Sequence, residues 1–286
     1  MPPETPSDAT PALDRRLLRS AVLRVAVTAL LAAVGVLTWR QVAMHNDTEA
    51  FYRTTLAKNP GAWMAHNNLG VYLQEHKLPG AQAEFEAALR LQPDYVPAQY
   101  NLGVSLLASG HPEEAVAHLE KAAGTQHRKE VHLYLGAALT DLHRYGEAAA
   151  EYSLYAQLEP ASGTAWLGLG NALASEDRLS DAVPALAKAM QILPENPEAA
   201  FSLGDALVGL KRYAEAAAAY RQGLARAPDR TEARINLGNA LVLCGQTGAA
   251  VAEFREALRR QPGDPALQKS LQWALDVQAN GGAPAP

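Results

Sequence analysis

A glycine recurs at residues 70, 103, 136, 170, 204 and 238, at spacings of 33, 33, 34, 34 and 34. Self-similarity at a fixed period of this length restricts a chain to stacked supersecondary units, each too small to bury its own apolar face. Every one of these glycines follows a leucine (69, 102, 135, 169, 203, 237), and another leucine lies three residues beyond it (73, 106, 139, 173, 207, 241). Two leucines at i and i+4 make one apolar stripe on a helix. An alanine then recurs at 81, 115, 148, 182, 216 and 250, with a large apolar residue four later: Phe85, Leu119, Tyr152, Leu186, Tyr220 and Phe254. Glu114, Glu147, Asp181 and Glu215 stand directly before four of these alanines, which suits the start of a second helix. The small glycine and alanine mark a close crossing of the two helices, where a larger side chain would hold them apart. Proline at 93, 160, 194, 228 and 262 stops the second helix and opens the next unit.

This pattern resembles that of the tetratricopeptide-repeat (TPR) family, whose helix–turn–helix unit carries Trp-Leu-Gly-Tyr-Ala-Phe-Ala-Pro. The stretch 166–194, WLGLGNALASEDRLSDAVPALAKAMQILP, keeps seven of those eight residue classes, with Leu173 in place of Tyr. Units fall at 62–94, 95–128, 129–162, 163–196, 197–230 and 231–264. The departures are local. His127 replaces a closing proline, Tyr155 and Gly223 replace a late alanine, and the first unit is one residue short between its helices. Pro184 is placed in the first turn of its helix, where a missing N–H is tolerable. Residues 47–61 read as an N-terminal half-repeat helix, 265–279 as a capping helix, and 1–16 and 280–286 as disordered tails. The resemblance implies an all-α fold, a right-handed TPR superhelix (α-solenoid) of about six repeats, here preceded by one transmembrane helix.

In TPR proteins, first-helix side chains line a concave groove that holds a peptide. Three residues before each glycine this chain has Asn67, Tyr100, Leu133, Leu167, Phe201 and Ile235. One residue after it come Val71, Val104, Ala137, Asn171, Asp205 and Asn239. Two residues before it, Asn68, Asn101 and Asn236 form a partial ladder like the family's backbone-binding asparagines. By resemblance these residues are a candidate peptide-binding groove, an apolar strip rimmed by amides. The same strip also fits a purely structural contact with the neighbouring unit. The lysines and arginines with which chaperone-tail-binding TPRs hold an acidic C-terminus are missing from these rows.

The N-terminal segment has a different character. Residues 25–39 carry no charge, and that run of 15 residues is short for a bilayer core of about 30 Å. Extending it to 21–43 gives 23 residues and a full span, with Arg24 and Arg40 near the ends, where they can snorkel, and Trp39 at the interface. A single-pass anchor over 17–43 is therefore expected. A cleaved leader fits less well, because Gln41 occupies the outer small position of the best cleavage site. A buried core helix is open on length but not with four arginines on one flank, and a surface helix would need a polar face. Arg15, Arg16, Arg19 and Arg24 precede the span, so the N-terminus is expected in the cytoplasm and the repeats outside it, with a bacterial inner membrane facing the periplasm as the setting. The junction TLAKNPGAWMAHNNLG, after a segment ending LTWRQ, resembles that of multi-span TPR proteins related to O-mannosyltransferases. Those carry many spans and this chain has one, so their activity is not implied.

Chemistry-bearing constellations are sparse. None of the eight histidines forms a His-Glu-x-x-His pair or other compact ligand set, and Cys244 is the only cysteine. GLGNA at 168–172 follows no strand and lacks the third glycine of a phosphate loop. Residues 1–40 are +2 and the remainder −7, a sign that repels nucleic-acid backbones. The reading is a non-enzymatic, membrane-anchored scaffold for a protein or peptide, with no cofactor, metal, nucleic acid or small-molecule substrate. The alternatives are an accessory subunit of a membrane protein-glycosylation or envelope-assembly machine, and a self-assembling array.

Overall fold

The computed structural model describes residues 34, 48–124 and 129–281. The described residues form fourteen helices and no strand. The chain divides into two compact units, 1–91 and 92–286. The first holds α1 (Thr48–Lys58), α2 (Trp63–Glu75) and α3 (Ala81–Leu91), each packed on the next. The second holds α4 (Val96–Ala108), α5 (Pro112–Ala123), α6 (Glu130–Asp141), α7 (Tyr145–Leu158), α8 (Gly163–Ser175) and α9 (Leu179–Ile192), followed by α10 (Pro197–Gly209), α11 (Tyr213–Arg226), α12 (Thr231–Leu243), α13 (Thr247–Arg260) and α14 (Pro265–Ala279).

Within residues 92–281 every helix packs on its successor. First helices also touch first helices: α4 meets α6, α6 meets α8, and so on to α12 and α14, while no pair of second helices is in contact among the described residues. Stacking is therefore tighter along the first-helix side, which makes that side the inner one. α1 falls within the 47–61 segment, and α14 spans the 265–279 segment.

The recurring glycines sit at the helix crossings. A Cβ on Gly170 would lie 2.5 Å from Leu186 Cγ and 3.2 Å from the Leu186 backbone nitrogen, and one on Gly238 would lie 2.6 Å from Phe254 Cε1. The other four meet Phe85, Leu119, Tyr152 and Tyr220 in the same way. Each unit thus inserts one large side chain of its second helix against the bare backbone of its first. Phe85, Leu119, Leu186 and Phe254 are fully buried.

A residue in the left-handed region follows each first helix: Lys77, Gly110, His143, Asp177, Lys211 and Gly245. This closes the helix in the αL manner and fixes the turn into the second helix. In the third, fourth and fifth units the next residue is an arginine that forks onto the acid three residues later: Arg144 on Glu147, Arg178 on Asp181 and Arg212 on Glu215. Those hydrogen bonds hold the Glu147 and Glu215 carboxyls below the usual carboxylate range. The first unit differs. Its missing residue removes the opening turn of the second helix, so α3 starts at Ala81 itself and Gly80 adds a second positive φ of 101°.

One expectation is adjusted. Pro184 lies inside α9, which starts at Leu179, so it interrupts the bond from residue 184 to the Ser180 carbonyl rather than falling in a free first turn. Its side chain is exposed, and Pro184→Ala is expected to raise stability by about 1 kcal/mol, read from the urea midpoint. An unchanged or lowered midpoint would mean that the helix has already absorbed the break. The anchor expected at 17–43, the tails at 1–16 and 280–286, and His127 lie outside the described residues, apart from Val34, Asn280 and Gly281. Among the described residues no helix is long and apolar enough to cross a membrane.

Candidate peptide-binding face

The first helices of residues 92–281 carry the expected residues in rows. Tyr100, Leu133, Leu167 and Ile235 are half-buried. The Tyr100 ring meets Tyr134 edge-on at 5.8 Å, and Leu133 packs with Trp166 on a buried cluster of Tyr155, Ala156 and Ala165. Following the glycines, Val104 and Asn239 are half-buried, and Asn171 and Asp205 are exposed. Asn101 and Asn236 are half-buried. Asn67, Asn68 and Val71 lie on α2, in the other unit.

Two expected groove residues turn out to be structural. Asn67 is 4% exposed and donates through Nδ2 to Asn68 Oδ1 at 3.2 Å. Phe201 is 6% exposed, with its ring in the space a side chain at Gly223 would need: a Cβ there would lie 2.3 Å from Phe201 Cε1. The Arg230 guanidinium lies 5.3 Å from the Phe201 ring centre and is held there by Glu198 at 2.8 Å. The third unit solves the same contact the other way, with a moderate Leu133 facing a large Tyr155. Large-on-small and moderate-on-large are two volume-conserving solutions to one crossing. They also account for the two departures from the family's late alanine.

Polar groups link successive repeats on this face. Asp205 Oδ1 accepts from the Tyr220 hydroxyl at 2.5 Å and from Asn236 Nδ2 at 3.3 Å, so one carboxylate ties α10 to both α11 and α12. Burial and then the adjoining Asp205 push the Tyr220 phenol well above its ordinary range; burial also raises that of Tyr152. In the unfolded chain these phenols release their protons near pH 10. The folded chain holds them, so above that pH the unfolded state binds fewer protons and stability falls as pH rises. The urea midpoint should therefore drop between pH 8 and pH 10.5, and Tyr220→Phe should lessen the drop. An equal drop in the variant would show that the phenol does not contribute.

A second recurring network could not be read from the motif alone. At four of the repeat boundaries the proline leaves a carbonyl at a helix end, and a side chain six residues on satisfies it: His66 on Pro60, Gln99 on Pro93, Trp166 on Pro160 and Arg234 on Pro228. His66 and Arg234 also bind an acid of their own second helix, Glu84 at 2.7 Å and Glu253 at 2.6 Å. The family's tryptophan is one of several side chains that meet this demand for a donor. Among the described residues no group of three His, Cys, Asp or Glu could hold a metal ion.

Two TPR family models match the chain, one over residues 201–265 and one over 72–139 and 173–217. No curated protein matches it. Among solved structures, YrrB, a TPR protein with an unusual peptide-binding site, is 21% identical with a TM-score of 0.59, covering 64% of this chain and 95% of that one. Pseudomonas aeruginosa PilF is 21% identical with a TM-score of 0.57, covering 77% and 97%. MamA from Desulfovibrio magneticus RS-1 is 22% identical with a TM-score of 0.54, covering 59% and 97%. At these identities the likeness is one of fold. It lends no support to the relationship with O-mannosyltransferases suggested by the junction. The matched segments and the six glycine crossings agree, and the repeats of this chain are tetratricopeptide repeats.

Proposed function

We propose that the array is a scaffold that binds an extended peptide or a helix of a protein partner along the first-helix face of residues 92–281. The observation that carries this reading is the exposed polar row of Asn171 and Asp205, continued by Asn239, running beside the half-buried Leu167 and Ile235. Amides can pair with a peptide backbone while the apolar neighbours take its side chains. YrrB, with its peptide-binding site, is a fold-level precedent. A photo-crosslinking side chain placed at Asn171 should form a protein adduct in cells, and one at the exposed Ala218 on the second-helix side should not. Adducts from 218 alone would assign binding to the opposite face.

The same reading places the array at a membrane, tethered through residues 21–43 with the N-terminus in the cytoplasm. The four arginines ahead of that segment, and its length of 23 residues, support it. In a bacterial cell, alkaline phosphatase fused after Pro60 should be active. An inactive fusion, with a matched cytoplasmic reporter active at the same site, would reverse the orientation.

A further inference from the structure

Trp166 sets a pattern that the next repeat breaks. Its ring packs beside the Tyr155 cluster at the end of α7, and its indole N–H donates to the Pro160 carbonyl at 3.0 Å. Thirty-four residues on, at the same point of the fifth unit, stands Ala200, facing Pro194 in place of Pro160. A methyl group can neither fill the space nor donate. The Pro194 carbonyl accepts instead from Arg226 Nε at 3.2 Å. Gly223 lies beside it, but the Phe201 ring takes the space of its missing side chain, so the gap comes from the small residue at 200. The result is a cavity of about 240 Å³ between the ends of α9 and α11 and the start of α10, lined by Met190, Pro194, Ala200, Gln222, Gly223 and Arg226 among others.

We propose that this slot receives an aromatic side chain, an indole above all, from a protein partner. The fold supplies the argument for this occupant: one repeat earlier the equivalent place holds an indole. The volume is that of one large side chain and lies below the range of about 300–1,000 Å³ usual for whole small-molecule ligands. Arg226, held by Glu195 at 3.1 Å, puts a cation at the rim, where it can lie over the face of an inserted ring. Aromatic anchors in such pockets carry much of the energy of protein interfaces. The slot shares no residue with the row of Asn171, Asp205 and Asn239, so it stands or falls separately from the peptide-binding reading.

The test uses the full chain in detergent with ¹³C-labelled methionine methyls. Met190 lines the slot, and Met64, on α2, is not among its lining residues. N-acetyl-tryptophanamide should shift the Met190 methyl signal saturably and leave Met64 unmoved, whereas N-acetyl-leucinamide should have no effect. Ala200→Trp should abolish the response and shift the Met190 signal before any probe is added. If that variant fails to fold, Ala200→Leu, which fills the slot in part, should weaken binding at least tenfold. No response at Met190, or one that persists in the filled variant, would overturn the proposal. A response to free indole but not to the tryptophanamide would also overturn it, because the slot would then admit a small molecule but not a side chain on a backbone.

Discussion

Phe254→Ala is expected to destabilise the C-terminal repeats by about 3–5 kcal/mol. The ring is fully buried, and it fills the crossing of α12 and α13 against Gly238, which offers no side chain to collapse into the void. Stability in a repeat array is close to a sum of unit terms and nearest-neighbour interfaces. The loss should therefore be local: amide exchange should quicken across α12 to α14 while α6 to α9 keep their protection. A change under about 0.5 kcal/mol would mean that the glycine crossing is not where the unit gains its stability. Uniform loss along the array would mean that it unfolds as one body.

The second large effect concerns the pair that departs from the family pattern. Gly223→Ala should cost about 1–3 kcal/mol, because the added methyl meets the Phe201 ring. In a Phe201→Leu background the same change should cost far less, since the pair then has the volumes typical of the other repeats. A double-mutant cycle measures this directly, and a coupling of about 0.5–3 kcal/mol in favour of the double variant is expected. Additive effects would show that Phe201 does not depend on the glycine, and would reopen the question of whether its ring turns toward the inner face.

Much of this architecture was legible because the repeat states it six times. One glycine could be a turn; six at a constant spacing, each paired with a large residue of the next helix, define a crossing that the structure reproduces at every unit. Helix starts were legible for the same reason, since an acid before four of the six alanines marks the first turn of a second helix. What stayed hidden was whatever depends on two residues far apart compensating each other. Phe201 looked like a groove residue because its row is read along one helix, and only Gly223 on the other helix shows that the ring is accommodated in the core. Asn67 misled in the same way: it stands in the row of Tyr100 and Phe201, but its amide is buried. Pro184 was misplaced because α9 begins three residues ahead of its alanine, which puts the proline past the free first turn. The proline-carbonyl network escaped notice because His66, Gln99, Trp166 and Arg234 share no chemical class, only a donor at the right place.

The scaffold reading rests on the first-helix face, and the direct measurement is partner capture from an envelope extract by residues 47–286 compared with a variant altered on that face alone. Tyr100→Asp, Asn171→Arg and Asn239→Arg change half-buried or exposed positions, leaving the glycine crossings intact, and circular dichroism would confirm the fold. The account predicts a specific protein held by the native array and lost by the variant. The same protein held equally by both would contradict it.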